Sequence, residues 1–141
     1  MLILKVELIA KGSRSWIYRE GNVVMKVEKE NMQAVNRIAN EAQWLQRVNK
    51  YNLGPKFIKI KKNQLYMEYI KGPCLEKYLE SHTKREQGKI VRQLLKQAYI
   101  LDKMKVNKKE MHRVTKNAIV RKKKLILIDF ERCKKTLAPK N

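Results

Sequence analysis

The 141-residue sequence has few of the residues that mark several protein classes. Its two cysteines, Cys74 and Cys133, have no metal-type spacing and are too few for a disulfide framework, so we expect reduced thiols and no disulfide partner. No apolar run approaches the ~20 residues of a membrane span. Lys5 and Glu7 interrupt the apolar start of residues 1–4, which argues against a signal peptide. These absences predict a cytoplasmic protein without a membrane partner.

Acidic residues are also scarce, because 13 Asp and Glu face 34 Lys and Arg and leave a formal net charge of +21. Such an excess costs stability through self-repulsion and is normally tolerated where a polyanion supplies the missing charge. Lysine that only solvates the surface, as in heat-adapted proteins, is accompanied by glutamate, which does not keep pace here. No basic amphipathic helix with an aromatic face indicates a membrane surface. The charge therefore favours a nucleic-acid partner, although it identifies no activity.

The apolar residues, 43% of the chain, are numerous enough to build a core. Apolar and β-branched runs predict strands over 2–9, 16–18, 23–27, 57–60 and 65–70. Helical spacing predicts helices over 31–51, 75–81 and 85–104, the last with a stripe of Val91, Leu94, Ala98 and Leu101. A hairpin over 118–129 follows. Because Gly72-Pro73 breaks this order, we predict an α+β fold with two lobes, residues 1–71 and 72–141, around a cleft.

Two residues of opposite charge lie in apolar surroundings. Glu41 is on the same face of its predicted helix as Ile38 and Leu45, and Lys26 lies within the apolar strand 23–27. Unpaired charges there are costly, so we expect the two to pair. A strand lysine paired with a helix glutamate is how protein kinases hold the α- and β-phosphates of ATP. The alternative is a Lys26 that extends to solvent and a half-exposed Glu41.

A third charge ends an apolar run. Residues 125–128 are all apolar, and Asp129 follows them. This order places a carboxylate at the mouth of a buried strand, where it can ligate a metal bound to phosphates. Alternatively, Asp129 only ends the strand or caps the next segment.

Over nearly the full chain, this order of elements resembles the protein-kinase-like fold, in particular the small atypical kinases of the RIO and Bud32 type. Residues 12–18 resemble their reduced phosphate loop, G-x-x-S-x-x-Y, which implies that Gly12, Ser13 and Ser15 contact nucleotide phosphates. Lys26 matches the lysine of the third strand, and Glu41 matches the glutamate of the C-helix.

The resemblance extends to the hinge and the metal strand. Residues 67–72 resemble the hinge, which implies that Met67 lines the nucleotide site and that the backbone of Glu68 and Ile70 pairs with adenine. Residues 129–131 stand where kinases have D-F-G, with glutamate replacing the glycine. The implied cofactors are ATP or GTP and Mg²⁺, with Asp129 as a metal ligand.

The catalytic loop departs from the family pattern. Residues 101–111 follow the frame L-H-x-x-G-I-x-H-x-D-L, with Lys108 replacing the histidine and Glu110 the aspartate. The resemblance implies that Glu110 is the base and that Asn117 binds the metal, but Asn117 follows Glu110 by seven residues instead of five. Either the loop is longer or the base differs. His112 is the second candidate, because histidine titrates near neutrality; it could instead be a surface residue.

Cations crowd both the catalytic loop and the metal strand. We expect RNA contacts from Lys108, Lys109, Arg113, Lys116, Lys122, Lys123, Lys124 and Arg132. Protein kinases continue past D-F-G into helices that dock a peptide, whereas this sequence stops ten residues after Glu131, so we expect a truncated C-lobe. A cation-ringed site suits a polyphosphate acceptor.

Within this resemblance, the sequence is most similar to the archaeal, RIO-like group that includes a tRNA kinase acting on a 2′-hydroxyl, at uridine 47 in the variable loop. The matching features are the run 116–120, the ending 128–132 and the small size. The implied activity is a nucleotide-dependent tRNA 2′-kinase. Two alternatives are a RIO-like Ser/Thr protein kinase or ATPase in an RNA-associated complex, and a pseudokinase that only binds RNA.

Overall fold

The computed structural model describes residues 6–11, 15–29, 37–130 and 133–135. The elements in chain order are β1 (Val6–Lys11), β2 (Ser15–Glu20), β3 (Val23–Glu28), α1 (Arg37–Asn49), β4 (Phe57–Lys61), β5 (Gln64–Glu68), α2 (Leu75–Ser81), α3 (Lys84–Lys103), β6 (Val106–Lys108), a 3₁₀ helix (Lys109–Arg113), β7 (Ala118–Arg121), β8 (Lys124–Leu127) and β9 (Cys133–Lys135). The predicted α+β class is confirmed. The predicted strand residues 2–5 and helix residues 31–36 lie outside the described residues.

A five-stranded antiparallel sheet determines the position of Lys26. Its strand order is β1-β2-β3-β5-β4, so β3 lies in the middle and pairs with both β2 and β5. Successive side chains of a strand point to opposite faces, and this alternation buries Val24 and Lys26 together. The predicted hairpin between β2 and β3 turns at Gly21, whose φ of 59° is easily adopted by glycine. The sheet therefore fixes Lys26 at its centre, on the buried face.

Helix α1 packs against β3, β4 and β5. Its buried stripe contains Ile38, Ala42 and Leu45, as the helical spacing predicts. Glu41 lies in the same stripe and is only 1% exposed. The helix thus presents a carboxylate to the apolar side of the sheet.

Helices α2 and α3 follow the linker after β5, and α2 covers the predicted range. A capping box between Thr83 and Glu86 starts α3. The predicted α3 stripe is wrong at its first residue, because Ile90 is 1% exposed and Val91 is 42% exposed. The inward face includes the polar Gln97, whose amide donates to the Leu125 carbonyl at 2.8 Å. A stripe sought among apolar residues alone therefore misses this face.

The β7–β8 hairpin is confirmed, with β8 ending at Leu127 instead of Asp129. Lys122 and Lys123 form its two-residue turn, and both have left-handed backbones, with φ of 48° and 66°. A second, shorter pair joins β6 to β9. Both cysteines are free thiols, Cys133 buried and Cys74 half-buried.

The linker between β5 and α2 lies directly against β7. A Cβ atom on Gly72 would come within 2.2 Å of the Val120 carbonyl oxygen, so glycine allows the close approach. The Val120 amide donates to the Pro73 carbonyl at 2.9 Å. The predicted domain boundary at residue 72 falls in this linker. Among the described residues, no helix is long and apolar enough to cross a membrane.

Candidate active site

Three charged side chains from separate elements meet beside the sheet. The Lys26 ammonium of β3 donates to both oxygens of Glu41 on α1, at 2.8 and 3.1 Å. It also donates to Asp129 Oδ1, just after β8, at 2.9 Å. Lys26 is 4% exposed, which rules out the alternative in which it extends to solvent. The predicted pair is therefore present, and Asp129 joins it.

The pairing favours the charged forms of Lys26 and Asp129. Burial opposes the positive charge of Lys26, but the attraction of Glu41 and Asp129 outweighs it and raises the Lys26 pKa above its usual range. For Asp129, burial again opposes ionisation, but Lys26 outweighs it and lowers the pKa. The Asp129 side chain is 33% exposed, whereas that of Glu41 is 1% exposed. Asp129 is thus an ionised carboxylate that is accessible from one side.

The backbone around Asp129 aims this carboxylate. Asp129 has a φ of 61°, a left-handed conformation that is uncommon for a residue with a side chain. The next residue, Phe130, is fully buried, and its amide donates to Glu41 Oε2 at 3.1 Å. Anchoring Phe130 in the core holds the preceding residue in this strained conformation.

An apolar cavity of about 180 Å³ adjoins these charges. Its walls come from the sheet, the linker and the β7–β8 hairpin, and include Ile17, Val24, Met67, Ile70, Ile119 and Ile128. Lys26, Glu41 and Asp129 also line it. The volume is below the roughly 300 Å³ at the lower end for sites that enclose a whole small ligand, so it suits a flat base and leaves the rest of a ligand outside.

The linker offers backbone groups at this cavity. The Glu68 amide donates to the Lys56 carbonyl at 2.9 Å, and the Tyr69 amide donates to the Asn22 carbonyl at 2.8 Å. The Glu68 carbonyl and the Ile70 amide lie on either side of Tyr69 in the same segment, which makes them the nearest backbone candidates for pairing with a base. The predicted hinge residues Met67, Glu68 and Ile70 therefore lie together at one cavity wall.

Lys108 has an unexpected position. Its ammonium donates to the backbone carbonyls of Ile128 and Asp129, at 2.8 and 2.5 Å, and lies 4.7 Å from the centre of the Phe130 ring. Burial lowers its pKa, and Glu110 partly offsets this effect. This placement does not fit the predicted contact of Lys108 with RNA. It instead fits the histidine position that Lys108 takes in the catalytic-loop frame, since it ties the loop to Asp129.

The two candidate bases lie in the 3₁₀ helix. Glu110 is 7% exposed, and its Oε1 lies 3.7 Å from the Lys108 ammonium. His112 is exposed, and its Nδ1 contacts the Lys109 carbonyl. Neither lines the apolar cavity. The two residues by which this loop exceeds the kinase spacing are accommodated by the 3₁₀ helix and the turn after it.

Asn117 lies next to the segment that carries Asp129. Its carbonyl accepts from the Ile128 amide at 2.9 Å, which places it beside the segment that carries Asp129. Its side-chain nitrogen donates to the carbonyls of Glu110 and Arg113, at 3.4 and 3.1 Å, and the amide oxygen is the remaining group. One carboxylate and one amide oxygen fit Mg²⁺, which takes few protein ligands and completes its shell with water and phosphate.

The remaining predicted residues fall into three groups. Gly12, Ser13 and Arg132 lie outside the described residues, and Ser15 is buried at the start of β2. Exposed cations on and after the 3₁₀ helix are Lys109, Arg113 and Lys116. Exposed cations at the β7–β8 turn are Lys122, Lys123 and Lys124. The second group is near the catalytic loop, whereas the turn lies at the opposite end of β8 from Asp129.

Sequence reasoning missed three parts of this site. These are the tether from Lys108, the bond from Phe130 to Glu41, and the ion pair between Arg121 and Glu68 at 3.1 Å. The first two involve backbone atoms, which leave no signal in the sequence. The cavity residues Ile119 and Ile128 carried a weak signal, because both lie in the apolar runs of the predicted hairpin.

Comparison with known proteins supports the fold. No protein-family model and no curated protein matches the sequence. Among solved structures, 235 chains match. One is WbdD, solved in complex with a kinase inhibitor; its TM-score is 0.66 and its sequence identity is 20%. The match covers 92% of this chain, which spans about 33% of the WbdD chain. The protein has a kinase-like fold, and Lys26, Glu41 and Asp129 lie beside its cavity.

Proposed function

We propose that this protein is a nucleotide-dependent phosphotransferase, and that its acceptor is a ribose 2′-hydroxyl of structured RNA, with tRNA and its variable-loop uridine 47 as the leading candidate. The observation that carries the first part is the Lys26 ammonium between Glu41 and Asp129 at an apolar cavity. The net charge of +21 supports RNA as the acceptor, whereas the choice of the 2′-hydroxyl and of uridine 47 rests on the resemblance of the sequence to the archaeal RIO-like group. A two-lobed arrangement with a reduced C-lobe belongs to the same proposal.

The chemistry assigns a task to each group. The base of ATP or GTP enters the apolar cavity and pairs with the Glu68 carbonyl and the Ile70 amide, while Lys26 binds the α- and β-phosphates. Asp129 and Asn117 would hold Mg²⁺, which would supply positive charge opposite the phosphate oxygens. Ionised Asp129 suits this task, because protonation would remove a ligand.

In the transfer, a bond forms between the 2′-oxygen and the γ-phosphorus, and the bond from that phosphorus to the β,γ-bridging oxygen breaks. The nucleoside diphosphate leaves, and the hydroxyl proton goes to Glu110 or His112. Glu110 is 7% exposed and lies beside Lys108, so it can accept the proton only if the 3₁₀ helix moves to expose its carboxylate. His112 is already exposed. The product is an RNA 2′-phosphate.

The test is incubation with γ-labelled nucleotide, Mg²⁺ and bulk tRNA. We expect label in the tRNA with the wild-type protein and no label with the Asp129→Ala variant. Label only in protein or free phosphate would favour the RIO-like protein kinase or ATPase. Nucleotide binding that is absent with Mg²⁺ present would favour a pseudokinase. A 2′-deoxy substitution at the labelled position is the acceptor control, since it must abolish labelling.

A further inference from the structure

A second concave surface lies behind the linker, away from the apolar cavity. It is a groove of about 810 Å³ between the loop after α1, the inward face of α3 and the β7–β8 turn. Its basic residues are Lys56, Arg121, Lys122, Lys123 and Lys124. Its one carboxylate, Glu68, pairs with Arg121 at 3.1 Å. Among the described residues, no carboxylate lies within ion-pair distance of the four groove lysines.

The turn lysines are placed where lysine is unfavourable. Lys122 and Lys123 both have positive φ in a two-residue hairpin turn, a position that favours Asn-Gly. Strain of this kind persists when the surrounding structure fixes it. The surrounding structure does fix it, because Gln93 on α3 donates to the Lys123 carbonyl at 2.8 Å and accepts from the Leu125 amide at 2.9 Å.

The groove is separate from the reacting groups. Lys123 and Asp129 flank opposite ends of β8, whose four extended residues span about 10 Å between the first and last Cα atoms. The turn lysines line the groove, and none of them lines the cavity beside Lys26 and Asp129. An anion that contacts both places must therefore extend at least along this strand.

We propose that this groove binds the phosphate backbone of RNA at a distance from the acceptor nucleotide. The proposal rests on the proposed function only in its choice of RNA as the polyanion. Within the described residues none of the four groove lysines forms an ion pair, and only Lys123 is attracted by a nearby carboxylate, that of Glu86 at the start of α3. Four such cations along one groove match a chain of phosphates, and a structured RNA reaches from the groove to the apolar cavity. The groove thus supplies affinity, while the groups beside the apolar cavity select the reacting hydroxyl.

The test uses two double variants that remove the same charge from different hairpin turns. Lys122→Asn with Lys123→Gly removes two groove cations and installs residues that suit the left-handed turn, so the fold is retained. Lys61→Thr with Lys62→Asn is the matched control, because Lys62 also has positive φ, at 48°, and lies at the far end of the β4–β5 hairpin. Binding of labelled tRNA, without nucleotide, is measured by anisotropy over a range of KCl concentrations.

We expect the groove variant to lower the slope of log affinity against log salt by about 1.5, since each phosphate contact contributes roughly 0.7 to 0.9. The control should lower it by less than about 0.5. An equal decrease of the salt slope in both variants, or no decrease in the groove variant, would contradict the proposal that the groove binds RNA. Equal displacement of the tRNA by duplex DNA of similar charge would overturn RNA as the partner. If wild-type protein labels tRNA but the groove variant keeps the wild-type salt slope, only the groove proposal is wrong. If the groove variant lowers the salt slope but no tRNA is labelled, only the proposed function is wrong.

Discussion

The backbone amide of Phe130 donates to Glu41 Oε2 at 3.1 Å, so the carboxylate that holds Lys26 also holds the residue after Asp129. One buried side chain therefore positions both Lys26 and the residue that follows Asp129. Glu41 acts through these two neighbours and is a positioning residue.

Replacing Glu41 should destabilise the fold. In Glu41→Ala, Lys26 loses one partner and the Phe130 amide loses its acceptor, and breaking a buried ion pair costs about 3–5 kcal/mol. Glu41→Gln keeps an acceptor for the amide and should cost less. Urea unfolding measures both, and exposed Glu76→Ala should stay within about 0.5 kcal/mol of wild type. A Glu41→Ala protein as stable as the control would contradict the buried pair.

The Asp129 ion pair predicts a pH dependence of stability. The folded-state pKa of Asp129 is lowered, so its contribution is complete above the unfolded value, about 3.9, and is lost as pH falls through the folded value. The difference in Tm between wild type and Asp129→Asn should therefore be constant from pH 7 to 5 and shrink below about pH 4. A difference that does not change down to pH 2.5 would show that Asp129 does not titrate with folding.

The two lysines on either side of the 3₁₀ helix, Lys108 and Lys116, should respond differently to substitution. Lys108→Met removes a buried donor from two carbonyls and should cost about 2–4 kcal/mol, with little change in the salt dependence of RNA binding. Exposed Lys116→Met should change stability by less than about 0.5 kcal/mol and lower the salt slope by about 0.7 to 0.9. Unfolding curves and binding titrations measure the two effects. A weaker salt slope in a stable Lys108→Met protein would restore its predicted RNA contact.

Two glycines form a matched pair for the linker. Gly72→Ala places a Cβ 2.2 Å from the Val120 carbonyl oxygen and should destabilise by about 1–3 kcal/mol. Gly88→Ala lies within α3 with no atom near the new Cβ, and should stabilise by up to about 1 kcal/mol. Thermal unfolding of both variants measures the contrast. Equal effects would show that the linker does not lie against β7.

The sequence predicts those parts of the fold that depend on periodicity. α1, α2 and the hairpins follow from apolar spacing, and Glu41 and Lys26 follow because charges in apolar runs need partners. Where polar residues replace apolar ones, prediction fails, as at Gln97 on the inward face of α3. The predicted RNA contact of Lys108 does not fit the structure for a related reason. A lysine in a basic segment resembles a surface residue until its carbonyl partners are known.

The contact between the linker and β7 limits which backbone torsions can change at the wall of the apolar cavity. Gly72 and Pro73 are held against Val120, and the Tyr69 amide donates to the Asn22 carbonyl in the turn between β2 and β3. Only Ile70 and Lys71 lie between these two attachments, and neither is a glycine. Any widening of the apolar cavity at this wall must therefore be absorbed by the four backbone torsions of these two residues, so this wall can pivot about the dipeptide but cannot lengthen.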